Sequence, residues 1–226
     1  VEACHEKYTQ ACREIVKILY VFSPDIEVYS IDESFLDITN VRRLLGEPLE
    51  IGRKIKQAIR GKLDLSCSVG IGPNKLLAKL AGSRHKPDGL FRIKAEDSPK
   101  ELENLAVDEL CGIGKKTTQV LNSLGIYTCS QLAKADPGLL RKRFGIGGEI
   151  LKQMGAGKDD ATIMPFGYEP KACSIGHSMT LEHDISACAD IARCILGLSD
   201  MVGRRMRREG LSGRTISLTL KLNLVV

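Results

Sequence analysis

The stretch Tyr29-Ser30-Ile31-Asp32-Glu33-Ser34-Phe35-Leu36-Asp37 places two adjacent carboxylates between two short apolar runs. Residues 27–31 and 35–38 have the composition of strands, and the polar residues between them predict a hairpin or a bulged turn. Asp32 and Glu33 repel each other and are costly to desolvate together. A divalent cation would remove that conflict, and Mg²⁺ suits such oxygen ligands in phosphoryl transfer. For a bare Asp-Glu pair, a solvated acidic turn is the simpler alternative.

Helices and strands alternate around this stretch. The predicted elements are helices over 4–22, 48–61 and 74–82 and strands over 65–71 and 90–93. This alternation predicts an α/β layer over residues 1–93. Lys75 and Lys79 share one face of the third helix, where we expect them to support packing or to bind distant phosphates.

The rest of the chain has a different character. Residues 94–160 contain short helical stretches broken by Gly and Pro and predict a small all-helical domain, and residues 161–171 have the composition of a linker. A strand over 172–181, a helix over 186–209 and a strand over 214–225 predict the start of a further α/β domain over 172–226. The predicted fold class is therefore α+β with several domains. Because the sequence begins at Val1 rather than Met, we expect a fragment of a longer protein.

Composition narrows the function classes. The 226 residues are 43% hydrophobic and 27% charged, as in a soluble globular protein, and no apolar run approaches the ~20 residues of a membrane span. The eight cysteines include no CxxC pair. We interpret them as reduced core cysteines of a cytoplasmic protein rather than as disulfides or zinc ligands.

Positive charge is concentrated near the C-terminus. Residues 193–226 hold seven basic and two acidic side chains, an excess equal to the net charge of +5 of the whole chain. Arg204, Arg205 and Arg208 form its densest cluster. A polyanionic partner and a solvated helix face both explain this cluster.

Two further motifs carry glycine or proline at defined positions. Pro and Gly in Lys86-Pro87-Asp88-Gly89 favour a type I turn that would hold Lys86 in place. The sequence Gly112-Ile113-Gly114-Lys115 lies between short helical stretches, where Gly-x-Gly exposes consecutive backbone N–H groups as a phosphate nest. This second motif is typical of a helix-hairpin-helix, which also occurs in glycosylases, ligases and nucleases. Residues 144–148 are either a degenerate second copy or a plain helical turn.

Together these motifs resemble the Y-family, translesion-type DNA polymerases, and among them the bacterial DNA polymerase IV group. Ser30-Ile31-Asp32-Glu33 followed by Phe35-Leu36-Asp37 is similar to a carboxylate motif of the family's palm domain. The Lys86–Gly89 turn and the helix-hairpin-helix follow in the family's order, and residues 174–180 resemble the first strand of its little finger domain. A non-catalytic DNA-binding relative is the alternative, but such a protein would be expected to lose the acidic pair.

The resemblance implies a partial palm (1–93), a thumb (94–160) and a partial little finger (172–226) of an error-prone polymerase that acts in DNA damage bypass. Asp32 would bind both Mg²⁺ ions, Glu33 would lie beside the primer 3′-hydroxyl, and Lys86 would contact the triphosphate; for Asp37 we expect a structural role. The DNA contacts would be Gly112, Ile113, Gly114, Lys115, Arg204, Arg205 and Arg208.

The implied partners are primer-template DNA, a deoxynucleoside triphosphate and, in the full-length protein, a sliding clamp. No membrane is implied, and we expect a monomer. The third metal-binding acid and the fingers domain of the family have no counterpart in this sequence, so we expect the fragment alone to be inactive.

Overall fold

The computed structural model describes residues 4–164 and 173–221 and divides the chain into two compact units, Val1–Tyr168 and Glu169–Val226. The helices are α1 (His5–Tyr20), α2 (Arg42–Leu45), α3 (Pro48–Leu63), α4 (Lys75–Ser83), α5 (Ser98–Leu102), α6 (Lys115–Ser123), α7 (Cys129–Lys134), α8 (Pro137–Phe144), α9 (Gly147–Gly155) and α10 (Cys188–Arg208). The strands are β1 (Ile26–Val28), β2 (Ser34–Leu36), β3 (Val69–Ile71) and β4 (Leu90–Arg92).

Strands β1 and β2 form the predicted hairpin, with Ile26 opposite Leu36 in antiparallel register. Strands β3 and β4 pair in parallel, and α4 is the crossover between them. Helix α4 packs in direct backbone contact with β3. A Cβ atom on Gly70 would overlap the backbone of Ala78 and Gly82, so only glycine permits this approach. The close approach fixes the position of α4 relative to the sheet.

Two details of the first unit differ from the sequence predictions. The strand predicted over 65–71 is present only at Val69–Ile71, because side chains take the backbone groups that a longer ladder would need: the Lys56 ammonium donates to Cys67 O, and Ser68 Oγ accepts from Gly89 N–H. The turn at 86–89 is not type I, since Asp88 has a φ of +54° where that turn requires a negative value.

The first unit contains two hydrophobic cores. The smaller one lies between α1, α3 and the hairpin and centres on Ile18, Ile26 and Ile51. The larger one begins at Leu76 on α4 and continues through the helices that follow. Its buried members are Leu76, Leu77, Leu80, Ala81, Ile93, Leu102, Leu105, Val107, Leu110, Ile113, Leu121, Ile126, Cys129, Leu132, Leu140 and Leu151. Helix α4 therefore shares one core with residues of α5–α9.

The second unit contains α10, which confirms the helix predicted over 186–209. The strands predicted over 172–181 and 214–225 are absent from 173–181 and 214–221, the parts of these segments that the structure describes. A strand forms only where its backbone pairs in a ladder with a neighbour, and no strand ladder includes residues 173–181 or 214–221. Residues 165–172 and 222–226, with most of the predicted linker, lie outside the described residues.

The cysteines are less buried than the sequence predicted. Cys129 is fully buried, and that burial raises the pKa of its thiol to about 12. In contrast, Cys173 and Cys188 are exposed, so the description as core cysteines is wrong for them. Across the described ranges, no helix combines the length and the apolar character needed to cross a bilayer.

Candidate active site and nucleic-acid-binding loops

The two predicted carboxylates lie at the tip of the β1–β2 hairpin. The Glu33 carbonyl accepts hydrogen bonds from the N–H groups of Tyr29 (2.9 Å) and Ser30 (3.1 Å), which close the turn. Asp32 is exposed, and its Oδ1 accepts a hydrogen bond of 2.6 Å from Ser30 Oγ. The turn therefore places these two consecutive acidic residues at the tip of the hairpin.

Glu33 has a partner that the sequence analysis did not identify. Lys79 on α4 places its Nζ 2.6 Å from Glu33 Oε2 and 4.4 Å from the centroid of the Tyr29 ring. Partial burial lowers the pKa of Lys79, but the hydrogen bond to Glu33 and the surrounding negative charge outweigh it, so the pKa is raised overall. Lys79 is thus a cation held against the acidic tip of the hairpin.

A second ion pair lies one helical turn earlier. Lys75 places its Nζ 2.7 Å from both carboxylate oxygens of Glu27 on β1, and 5.1 Å from the centroid of the Phe35 ring. Glu27 Oε2 also accepts a hydrogen bond of 2.8 Å from Met164 N–H. Both pairs fasten α4 to the hairpin, which agrees with the packing role expected for these lysines.

The donor set at the tip suits a hard divalent cation. Asp32 offers an exposed carboxylate and Glu33 a partly exposed one, and carboxylate oxygens are ligands that Mg²⁺ prefers. Among the described residues no group of three or more His, Cys, Asp or Glu side chains could hold a metal, so the tip supplies two ligands rather than a complete chelate. The third acid of the motif, Asp37, instead accepts a hydrogen bond of 2.8 Å from Thr39 N–H and stabilises the turn after β2.

Lys86 is exposed, and its turn is held by Lys56 on α3. The Lys56 ammonium donates to the Asp88 carbonyl at 2.9 Å and to the Asp88 carboxylate. The hydrogen bond from Lys56 holds the pKa of Asp88 below its usual value. Sequence reasoning missed Lys56 because it lies 32 residues from its partner.

The predicted phosphate nest has open backbone at its end. Gly112 has a φ of +98°, and Gly114 caps α6 with no side-chain cap on the first N–H groups of the helix. A Cβ atom on Gly114 would meet nothing within 4 Å, so that side of the loop faces open space. Ile113 is buried, with 4% of its surface exposed, and its N–H donates to Leu110 O at 3.1 Å, so this residue anchors the loop and the open N–H groups are those of the two glycines.

The nest and Lys79 border the same cleft, an open space of about 490 Å³. Its lining residues are Lys79, Leu80, Ser83, Asp108, Glu109, Leu110, Cys111, Gly112, Ile113 and Gly114. The Tyr29 hydroxyl lies 3.6 Å from Cys111 Sγ, and this hydrogen bond raises the pKa of Tyr29. The hairpin tip and the nest are therefore in contact through Tyr29 and Cys111. Lys115 is exposed at the first position of α6.

The arginine cluster lies on α10 in the second unit. Arg204 pairs with Asp200 at 2.8 Å, Arg208 lies 3.8 Å from Glu209, and Arg205 donates to Gly176 O at 3.2 Å. Arg204 and Arg208 nevertheless keep about three quarters of their side-chain surface exposed, at 75% and 77%. Both remain accessible to an anionic partner.

The second glycine-rich stretch, at 144–148, runs from the end of α8 into the first turn of α9. Gly145 has a φ of +62°, and a Cβ atom on Gly148 would overlap the Leu140 carbonyl. The left-handed backbone at the end of α8 therefore explains Gly145, and close packing against Leu140 explains Gly148, without any ligand.

Comparison with known proteins gives two family matches and a set of polymerase relatives. Residues 1–83 match the model of the impB/mucB/samB family, and residues 172–223 match the model of the C-terminal domain of that family. The DNA polymerase IV of Pelotomaculum thermopropionicum is 41% identical over 217 residues, covering 96% of this chain and 54% of that protein. The chain thus spans about half the length of the curated relatives it matches.

Solved structures show the same likeness. The crystal structure of DinB from Sulfolobus solfataricus is 32% identical with a TM-score of 0.66 over 73% of this chain and 49% of that one. The insertion ternary complex of Dbh DNA polymerase is 32% identical with a TM-score of 0.67 over 72% of this chain and 48% of that one. The mixed α/β fold is therefore similar to that of these polymerases.

Proposed function

This chain belongs to the Y family of DNA polymerases, and on that premise we propose that the whole protein is a DNA-directed DNA polymerase of the translesion type. The observation that carries the proposal is the pair Asp32 and Glu33, consecutive residues at the tip of a hairpin, with Asp32 exposed and Glu33 partly exposed. A non-catalytic relative would have no use for two repelling carboxylates in this position.

The parts of the chain take the roles of the family's domains in this proposal. Residues 1–93 form a partial palm, 94–160 a thumb, 161–171 a linker and 172–226 a partial little finger. The parallel β3–α4–β4 unit and the hairpin support the first assignment, and the helices that surround the nest support the second.

In the reaction, Asp32 and Glu33 would hold Mg²⁺, which when bound offsets negative charge on the reacting phosphates. Glu33 would also orient the primer 3′-hydroxyl. Lys86 would bind the triphosphate of the incoming nucleotide as a point positive charge. The Lys56 bonds to Asp88 would limit the motion of the Lys86 turn and so lower the entropy lost on binding.

Primer-template DNA would be bound through its backbone. The N–H groups of Gly112 and Gly114 and the charges of Lys115, Arg204, Arg205 and Arg208 would interact with phosphates, which carry no sequence information. Ile113 would position this loop rather than bind a phosphate itself, since its N–H already donates to Leu110 O. We expect the affinity for DNA to depend little on base sequence and strongly on salt concentration.

Primer extension by the whole protein tests the proposal. We expect templated synthesis that needs a divalent cation and continues past a damaged template base. The 226-residue chain alone should extend no primer, since its described residues supply only two metal-binding carboxylates. The proposal would be rejected if the whole protein synthesised no DNA on any of the templates, damaged or undamaged.

A further inference from the structure

We infer that Lys79 exchanges partners during the catalytic cycle: it neutralises Glu33 before a divalent cation binds, and it binds a DNA phosphate beside the Gly112–Gly114 nest once the cation has taken Glu33. This inference rests on the proposed role of Glu33 as a cation ligand. It adds an activity that neither the acidic pair nor the nest has alone, namely energetic coupling between cation binding and DNA binding.

The first step in the argument is the position of Lys79. Its ammonium is 2.6 Å from Glu33 Oε2, yet the same side chain lines the cleft that Gly112 and Gly114 border. Lysine carries its charge on a flexible four-carbon stem, so the ammonium can turn from one side of the cleft to the other while α4 stays fixed. One residue thus reaches both proposed binding sites.

The second step is electrostatic. A divalent cation on Glu33 would lie close to the Lys79 ammonium, and like charges at such a distance repel strongly in a partly buried site. Lys79 would therefore leave the carboxylate when the cation arrives. The Tyr29 ring, 4.4 Å from Nζ, provides an intermediate resting place, because a cation is attracted to an aromatic face and the Tyr29 hydroxyl already contacts Cys111 next to the nest.

The third step concerns the charge of the cleft. Asp108 and Glu109 both line it, and Lys79 is the one cationic side chain among the described residues that do so. A phosphate that approaches the nest would be repelled by these carboxylates as long as Lys79 is occupied by Glu33. Release of Lys79 supplies the missing positive charge.

The test is a measurement of DNA affinity in the absence of nucleotide. Binding of the whole protein to a labelled primer-template duplex is titrated with salt, once in EDTA and once in Mg²⁺ at matched ionic strength. We expect Mg²⁺ to steepen the dependence of log affinity on log salt by about 0.9, the value for one additional neutralised phosphate. Mg²⁺ also binds the duplex itself, but that effect is common to all variants, so the comparison between variants isolates Lys79.

Four variants make the comparison specific. Lys79→Gln should lose the additional slope, while Lys79→Arg should keep it because the charge remains. Glu33→Gln should show the steeper slope already in EDTA, since Lys79 is then released permanently. Lys75→Gln is the matched control: it breaks the equivalent pair one turn away, outside the cleft, and should behave like the starting protein. Thermal unfolding of each variant identifies any that fail to fold.

An equal effect of Mg²⁺ in the starting protein and in Lys79→Gln would overturn the inference. So would an unchanged slope for Glu33→Gln in EDTA, or loss of the additional slope in a folded Lys79→Arg variant. Because the measurement involves no synthesis, these outcomes are independent of primer extension, which alone decides the proposed function.

Discussion

Lys75 and Lys79 lie one turn apart on α4, and each forms an ion pair with a glutamate of the same hairpin, Glu27 at 2.7 Å and Glu33 at 2.6 Å. The pairs differ in exposure: 12% of the Glu27 side chain is accessible against 41% of Glu33. Burial on both sides makes the first pair a fixed attachment of α4. The Lys79–Glu33 pair remains accessible to a competing cation. Two lysine–glutamate pairs on successive turns of α4 therefore differ in role: one fixes the helix, and the other can be displaced.

Asp32→Asn should lower the rate of primer extension by the whole protein by roughly a hundredfold or more, because loss of a metal ligand removes several kcal/mol of transition-state stabilisation. Its affinity for DNA should change little. Asp37→Asn is the control, since an amide oxygen can still accept the hydrogen bond from Thr39 N–H. Single-turnover rates and duplex affinity check both variants, and an equal loss in the two would make the carboxylate pair structural.

Lys86→Ala should reduce the specificity constant for the incoming nucleotide about 10- to 150-fold, the equivalent of one charge-assisted phosphate interaction of roughly 1.5–3 kcal/mol. Lys94→Ala provides a comparison, because Lys94 is also an exposed lysine and pairs only with Glu96 in the described structure. Steady-state extension at varied nucleotide concentration measures both. An unchanged specificity constant in Lys86→Ala would show that Lys86 does not bind the nucleotide.

Lys56→Met should raise the KM for the nucleotide more than it lowers kcat, because the Lys86 turn loses the hydrogen bonds to Asp88 that limit its motion. Lys54→Met, on the same helix, removes a bond to Leu45 O and leaves the turn untouched. The two variants are compared by kcat and KM after equal thermal stability has been established. Matching KM values would show that Lys56 does not position the turn.

Measurements of duplex affinity should distinguish the contribution of the arginine charges from that of close contact between the nest backbone and a phosphate. Reversal of Arg204 and Arg208 to Glu should weaken binding to every sequence and flatten the salt dependence by roughly 0.9 for each phosphate that is no longer neutralised. Gly114→Val should weaken binding with much less change in slope, since it blocks the nest without removing a charge. The fold tolerates this substitution because a Cβ atom there meets nothing within 4 Å. Salt titrations that fail to distinguish the variants would contradict the assignment.

Cys129 should make stability dependent on pH in the alkaline range. Its pKa is about 12 in the folded state and about 9.0 when exposed, so the unfolded chain loses this proton first. The free energy of unfolding should therefore fall as pH rises above 9, by about 1 kcal/mol between roughly pH 8 and pH 10. Denaturant unfolding of the starting protein and of Cys129→Ala checks this, since the variant should lack that part of the decline.

The hydrophobic spacing and the turn residues of the sequence were sufficient to predict several of the individual helices and the hairpin. The hairpin around Asp32 and Glu33 and the helices α1, α3, α4 and α10 follow from alternation, helical spacing and Pro or Gly at their ends. The site contacts arise from pairs distant in sequence: Lys79 lies 46 residues from Glu33, and Lys56 lies 32 residues from Asp88. No periodicity encodes such pairs, because they depend on how α3 and α4 pack against the strands.

The strand predictions failed where a segment has the composition of a strand but its backbone does not pair with a neighbouring strand. Residues 65–68 have the composition of a strand, but Lys56 and Ser68 occupy the backbone groups on that side. The arginines were located correctly on α10, yet their ion pairs with Asp200 and Glu209 became visible only in the structure.

The larger hydrophobic core is one cluster that extends from Leu76 on α4 to Leu151 on α9. Segments that share one core tend to open together as a single cooperative unit. The hydrogen-bonded amides of α4 and of α6, the helix that begins at the nest, should thus appear together, as one late-exchanging block, in amide hydrogen exchange. On heating, the backbone of the nest and the position of Lys79 beside Glu33 would be lost in the same transition.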